Sequence, residues 1–116
     1  TKPPVAVSPE LRVNEFIEQV LEKNRYTSFP VARDGRLHGM LSLKELQKVP
    51  QESWAQTTIR EVMQPVDESL FVTARASIEH ALKKLKTNSL GHLAVVNDEG
   101  ILVGFFSDQE LMRANR

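Results

Sequence analysis

SFPVARDGRLHGMLSLKEL, residues 28–46, is answered by HLAVVNDEGILVGFFSDQEL, residues 92–111. With Gly35 set on Gly100 the second copy follows at an offset of 65: Gly39 meets Gly104, Ser42 meets Ser107, Glu45 meets Glu110 and Leu46 meets Leu111. The upstream halves keep the same offset, with Val7 on Val72, Val13 on Ile78, Ile17 on Leu82 and Val20 on Leu85. One residue is lost before Val31, which meets Val95 at offset 64, and it is regained at Glu99. A repeat in register over most of the chain means two copies of one supersecondary unit. A pair of such units creates equivalent clefts between the copies, and ligands bind in clefts.

The local chemistry sets the elements of each copy. Val5 and Val7 follow a proline-rich start and suit a short edge strand, where proline is tolerated. Val13, Phe16, Ile17, Val20 and Leu21 have the i, i+3, i+4, i+7, i+8 spacing of an amphipathic helix. Phe29–Ala32 and Arg36–Leu41 read as strands around an Asp34-Gly35 hairpin turn. A second helix opens at Ser42 and must end before Pro50, because the residue before proline is driven out of the helical region. The second copy repeats this order: a strand over Leu70–Thr73, a helical stripe of Ile78, Ala81, Leu82 and Leu85, strands over Leu93–Val96 and Ile101–Phe106, and a last helix from Ser107. Thr58-Ile59-Arg60-Glu61 has the form of a capping box and predicts a short helical turn stopped by Pro65. Each unit is therefore strand, helix, strand, strand, helix, in an α+β domain with pseudo-two-fold symmetry. Phe29, Val31, Leu41, Leu93, Val95 and Phe106 are the expected core.

Composition narrows the function classes. The 116 residues suit one compact domain, and 41% apolar with 26% charged residues is ordinary for a globular protein. A chain this short buries a modest fraction of its surface, so a homodimer is expected. Fifteen basic and fifteen acidic residues cancel, which argues against nucleic acid as a partner. With no cysteine there is no disulfide and no thiolate chemistry. No apolar run reaches membrane-spanning length and no secretory signal pattern appears. The chain begins at Thr1, which suggests a piece of something larger.

A β-hairpin ending in glycine, two apolar residues, a serine, two residues and an acid, then a helix, resembles a CBS motif. Two in tandem, with Thr57-Thr58-Ile59-Arg60-Glu61-Val62-Met63 opening the second, resemble a CBS pair, or Bateman module, from about Val5 to Met112. On that reading the chain is one module over 1–116, with a first motif at 5–50, a linker and entrance to the second motif at 51–64, and a second motif at 65–116. The resemblance implies two interleaved motifs and a regulatory role, commonly by binding adenosine nucleotides between them. No cofactor is required; AMP, ADP or ATP is the implied ligand. Val49-Pro50, Trp54, Thr57 and Ile59 also resemble the connector of CBS pairs appended to site-2 protease family zinc metalloproteases. This implies a catalytic or membrane domain in cis and a cytoplasmic location, as the cytosolic part of an integral membrane protein. The zinc motif H-E-x-x-H of such enzymes is absent here.

Ser42-x-x-Glu45 and Ser107-x-x-Glu110 admit two readings. As capping boxes, each serine accepts from the third helical N–H while the glutamate reaches back to the serine N–H. As a ligand site, the helix start faces phosphates and the acid faces a ribose diol. The resembled family usually has aspartate at that acid, and the extra methylene of glutamate moves the carboxylate. The preferred cleft uses Ser107 and Glu110, with His92 and Thr73 nearby. The second choice uses Ser42 and Glu45. His38, His80 and His92 lack metal-ligand spacing. Lys83, Lys84 and Lys86 read as a solvated helix face, and Trp54 as an apolar plug for the linker. No nucleophile, base and orienting group can be assembled, so the chain is not expected to be an enzyme. The rival to a ligand-sensing module is a structural dimerisation module with degenerate, empty clefts.

Overall fold

Both hairpins form where the turn residues place them. In the computed structural model, which describes residues 4–114, strand β1 (Ser28–Arg33) returns as antiparallel β2 (Arg36–Ser42). Asp34 and Gly35 both take positive φ, 53° and 81°. That is what a two-residue loop needs to match the twist of its strands. In the second half β5 (His92–Val96) pairs with antiparallel β6 (Leu102–Ser107).

Each hairpin is extended into a three-stranded sheet, by different means. A short strand β3 (Gln64–Pro65) leaves the linker and pairs with β2 at Gly39 and Met40. Pro65 lacks an N–H, and an edge is where that loss costs least. In the second half β4 (Phe71–Thr73) lies parallel to β5. Its counterpart in the first half shrinks to one residue. Val7 alone bridges to Val31, with its N–H on Pro30 O and its carbonyl receiving Ala32 N, both at 2.9 Å. Val5, expected in that strand, stays unpaired and exposed.

The helices follow the apolar spacing. Helix α1 (Val13–Phe16) runs into a π-helical turn over Ile17–Leu21. The stripe is thus wound more loosely than its 3.6 period predicts. Val13 and Phe16 are fully buried, while Ile17, Val20 and Leu21 are half-buried against the same core. Helices α2 (Leu43–Gln47), α3 (Ile59–Val62), α4 (Ile78–Asn88) and α5 (Asp108–Ala114) complete the set. Leu70, expected to start β4, ends a 3-10 turn over Glu68–Leu70 instead. Asp67 caps that turn by accepting from Ser69 N–H at 2.8 Å.

Two apolar clusters hold the sheets to the helices. The first joins Val7, Val13, Phe16, Phe29, Val31, Leu41 and Ile59, with Phe16 and Phe29 edge to face at 5.1 Å. The second joins Val72, Ala81, Leu85, Leu93 and Leu111. Full burial of a side chain of this size contributes about 1.5–3 kcal/mol. Phe29, Val31, Leu41 and Leu93 are buried as expected, whereas Val95 and Phe106 are half-buried. The Phe106 ring folds back over its own strand, so close to Gly104 that an added Cβ there would meet the ring at 2.6 Å.

The linker is part of the first motif's packing. Ile59 is fully buried in that cluster, and its N–H donates to Leu11 O at 2.8 Å. Arg60 pairs with Glu10 at 2.6 Å. Glu61 accepts from Thr58 N–H at 2.8 Å, the expected back-bond of the capping box. Trp54 packs on the cluster and donates Nε1–H to Val49 O at 3.1 Å, as a plug should. The hairpin tips meet: Leu102 N–H donates to Gly35 O at 2.7 Å and Arg36 Nη1 to Glu99 O at 2.8 Å. Among the described residues no helix is long and apolar enough to cross a membrane.

A candidate ligand cleft between the two motifs

The second hairpin brings His92 and Ser107 face to face, because they are register partners at its base. Ser107 then starts α5. Its N–H donates to Glu110 Oε1 at 3.0 Å, and its Oγ accepts from Glu110 N–H at 3.2 Å. The capping box expected there is complete. His92 lies flat on Phe105, with ring centroids 5.2 Å apart and planes 14° apart. Its Nδ1 is buried and has no hydrogen-bond partner. A buried polar atom without a partner costs free energy unless a water or a ligand meets it.

These residues form one wall of a cleft of about 470 Å³, within the size range of small-molecule sites. The second motif gives His92, Val103, Gly104, Phe105, Phe106 and Glu110. The first half of the chain gives Pro4, Val5, Tyr26, Ser28, Phe29 and Pro30. The cleft is thus built by both halves of the repeat. Tyr26 is 54% exposed and stands edge to face with Phe29 at 5.9 Å. Sequence reading assigned no role in the site to Tyr26 or Pro30. The signal available was an aromatic residue outside the helical stripe, two residues before a strand.

The other expected site residues are placed elsewhere. Thr73 pairs with Val96, at the end of β5 remote from His92. The parallel register of β4 puts it there, so Thr73 does not join His92, Ser107 and Glu110. Ser42 pairs with Ser28 across the first hairpin and starts α2 without a side-chain cap. Glu45 accepts from Lys48 Nζ at 3.4 Å, within its own helix. The expected capping box of the first copy is therefore absent. The helix that Ser42 opens has only five residues, and the Glu45 carboxylate finds a cation one turn on. Lys84 also departs from the solvated face assigned to it. Its ammonium donates to the carbonyls of Glu68 and Phe71 and sits 5.5 Å from the centre of the Phe71 ring.

The carboxyls held below their ordinary range lie outside the cleft. Hydrogen bonds from Thr58 lower Glu61, the Arg60 guanidinium lowers Glu10, and hydrogen bonds from Ser69 lower Asp67. Among the described residues no three His, Cys, Asp or Glu side chains are grouped to hold a metal.

The model of the CBS domain matches this chain twice, at residues 1–52 and 59–116. The chain belongs to the CBS domain family. The pair is 32% identical over 101 residues to an L-aspartate semialdehyde sulfurtransferase of Methanosarcina acetivorans, covering 87% of this chain and 18% of that protein. It is 28% identical over 105 residues to a putative zinc metalloprotease of Synechocystis, covering 89% of this chain and 28% of that protein. The chain thus spans less than a third of either relative. CBSX2, crystallised in complex with AMP, superposes with a TM-score of 0.80 at 25% identity, over 98% of this chain and 90% of that one. The tandem CBS fold, two motifs each with its own sheet and helices, is the architecture of this chain.

Proposed function

We propose that this CBS pair is a non-catalytic regulatory module that senses an adenosine compound in the cleft between its motifs and controls a protein attached to it. The single observation that carries the reading is a cleft of about 470 Å³ walled by both motifs, with the His92 ring stacked on Phe105 and Glu110 in the same wall. A heterocycle with ring nitrogens can pair with His92, and Tyr26 offers an exposed aromatic face. Glu110 is the carboxylate for a ribose. AMP, ADP and ATP are the first candidates, supported by the AMP complex of CBSX2. Ser42 and Glu45 are second-choice ligand residues, and Thr73 has only an indirect role through β4.

On this reading the attached protein is a zinc metalloprotease, supported by the putative zinc metalloprotease of Synechocystis, and its membrane-embedded class is what the connector resemblance implies. The module then lies on the cytoplasmic side, with its first motif at 5–50, linker at 51–64 and second motif at 65–116, and works as a homodimer. Ligand binding changes the attached protein only if affinity differs between two arrangements of the motifs. A thermal-shift series with AMP, ADP, ATP and S-adenosylmethionine tests this. A rise in melting temperature that His92→Ala abolishes supports the reading. No shift with any of these compounds in the folded protein leaves the structural dimerisation module, which one observation favours: the capping box alone accounts for both Ser107 and Glu110.

A further inference from the structure

An anion entering the cleft of this CBS pair finds no free N–H at the start of α5. The start of α5 faces the cleft through Glu110, and every leading N–H there already has an acceptor. Asp108 N–H donates to Gly91 O at 3.1 Å, Gln109 N–H to the Asp108 carboxylate at 2.8 Å, and Glu110 N–H to Ser107 Oγ at 3.2 Å. Ser107 N–H is held by the Glu110 carboxylate at 3.0 Å. Two of these four acceptors are carboxylates. A phosphate would have to displace them and then sit beside two negative charges.

The rest of the described lining offers no compensation. Among the described lining residues there is no lysine and no arginine. Among the described lining residues His92 is the sole basic side chain, and it lies flat on Phe105 with one nitrogen buried. The remaining wall is apolar or aromatic, apart from the Ser28 hydroxyl. Such a surface favours a flat heterocycle and a neutral or positive substituent. It penalises a chain of phosphates, since like charges at close range cost affinity.

We propose that the cleft takes adenosine compounds whose 5′ substituent is neutral or cationic, and discriminates more strongly with each phosphate added. This inference rests on the adenosine reading of the same cleft and narrows it.

The test is titration calorimetry of the 116-residue chain with adenosine, S-adenosylmethionine, AMP, ADP and ATP, in magnesium-free buffer. Affinity is expected to fall from adenosine to ATP by about tenfold or more at low salt. S-adenosylmethionine should bind no more weakly than AMP. Raising salt from about 20 mM to about 500 mM should narrow the gap, because screening weakens repulsion. Asp108→Asn keeps an acceptor for Gln109 N–H but removes one charge, so it should raise ATP affinity severalfold and leave adenosine unchanged. Adenosine binding with ATP equally tight, ATP affinity that falls as salt rises, or ATP affinity unmoved by Asp108→Asn overturns the inference and leaves the adenosine site standing. Binding by none of the five compounds overturns the adenosine site itself, and this inference with it.

Discussion

The two Ser-x-x-Glu segments have the same spelling and opposite fates. In the second motif Ser107 and Glu110 close a reciprocal capping box at the rim of a cleft. In the first, Ser42 caps nothing with its side chain and Glu45 turns to Lys48. The strands that precede them differ in the same way. Gly39 in β2 is covered by the backbone of β3, so that an added Cβ would meet Gln64 O at 2.3 Å. Gly104 in β6 is covered most closely by the ring of Phe106, a side chain that can turn, and it lines the cleft. A repeat fixes the backbone path of its copies. What lies over each copy decides what its side chains do.

The largest expected difference lies at the equivalent pair Leu41 and Phe106. Leu41→Ala empties a fully buried position and should cost about 3 kcal/mol in urea unfolding. Phe106→Ala removes a half-buried ring and should cost about 1–2 kcal/mol. Equal losses would mean that the second sheet is as closed as the first. The glycines come next. Gly39→Ala must push β3 off the sheet and should cost about 2–3 kcal/mol, whereas Gly104→Ala can be absorbed by rotation of Phe106 at about 1 kcal/mol. A Gly39→Ala protein with an unchanged midpoint would contradict the pairing of β2 with β3.

The capping comparison is finer. Glu110→Ala should cost about 1 kcal/mol through loss of the box. Glu45→Ala should stay within about 0.5 kcal/mol, since it loses only a surface pair with Lys48. Similar costs at both positions would restore a box in the first motif. The smallest effect concerns acid. Glu61, Glu10 and Asp67 have carboxyls lowered in the fold from ordinary values of 4.5, 4.5 and 3.8. A lowered carboxyl adds stability that is fully present above its ordinary value and is lost as pH falls through the folded one. Stability should therefore decline as pH falls below 4.5, and Glu61→Gln should flatten part of that decline. A Glu61→Gln protein whose melting temperature tracks the parent at every pH would show that its hydrogen bonds from Thr58 contribute nothing.

The fold was legible because its signals are local. The Asp34-Gly35 turn, the apolar stripes of α1 and α4, and the Thr58 box each specify structure within a few residues, and the offset of 65 ties them into two copies. The π-helical turn after Phe16 was not legible, because Ile17, Val20 and Leu21 keep the same apolar spacing in either winding. The site was half legible. His92, Ser107 and Glu110 belong to one hairpin and its helix, so the repeat itself placed them together. Tyr26, Ser28 and Pro30 reach the same cleft from the other motif, and no pattern along the chain records how two motifs face one another. Thr73 was misplaced because a parallel register depends on the crossover helix and cannot be counted off the strand.

One consequence of Trp54 and Tyr26 is spectroscopic. The chain has one tryptophan and one tyrosine, and they sit in different compartments. Trp54 is lodged against the first cluster, its indole N–H bound to Val49 O. Its emission therefore follows the melting of that cluster. Tyr26 stands in the cleft wall, where a stacked heterocycle would quench it. Unfolding and occupancy thus carry separate optical signatures in the unlabelled protein.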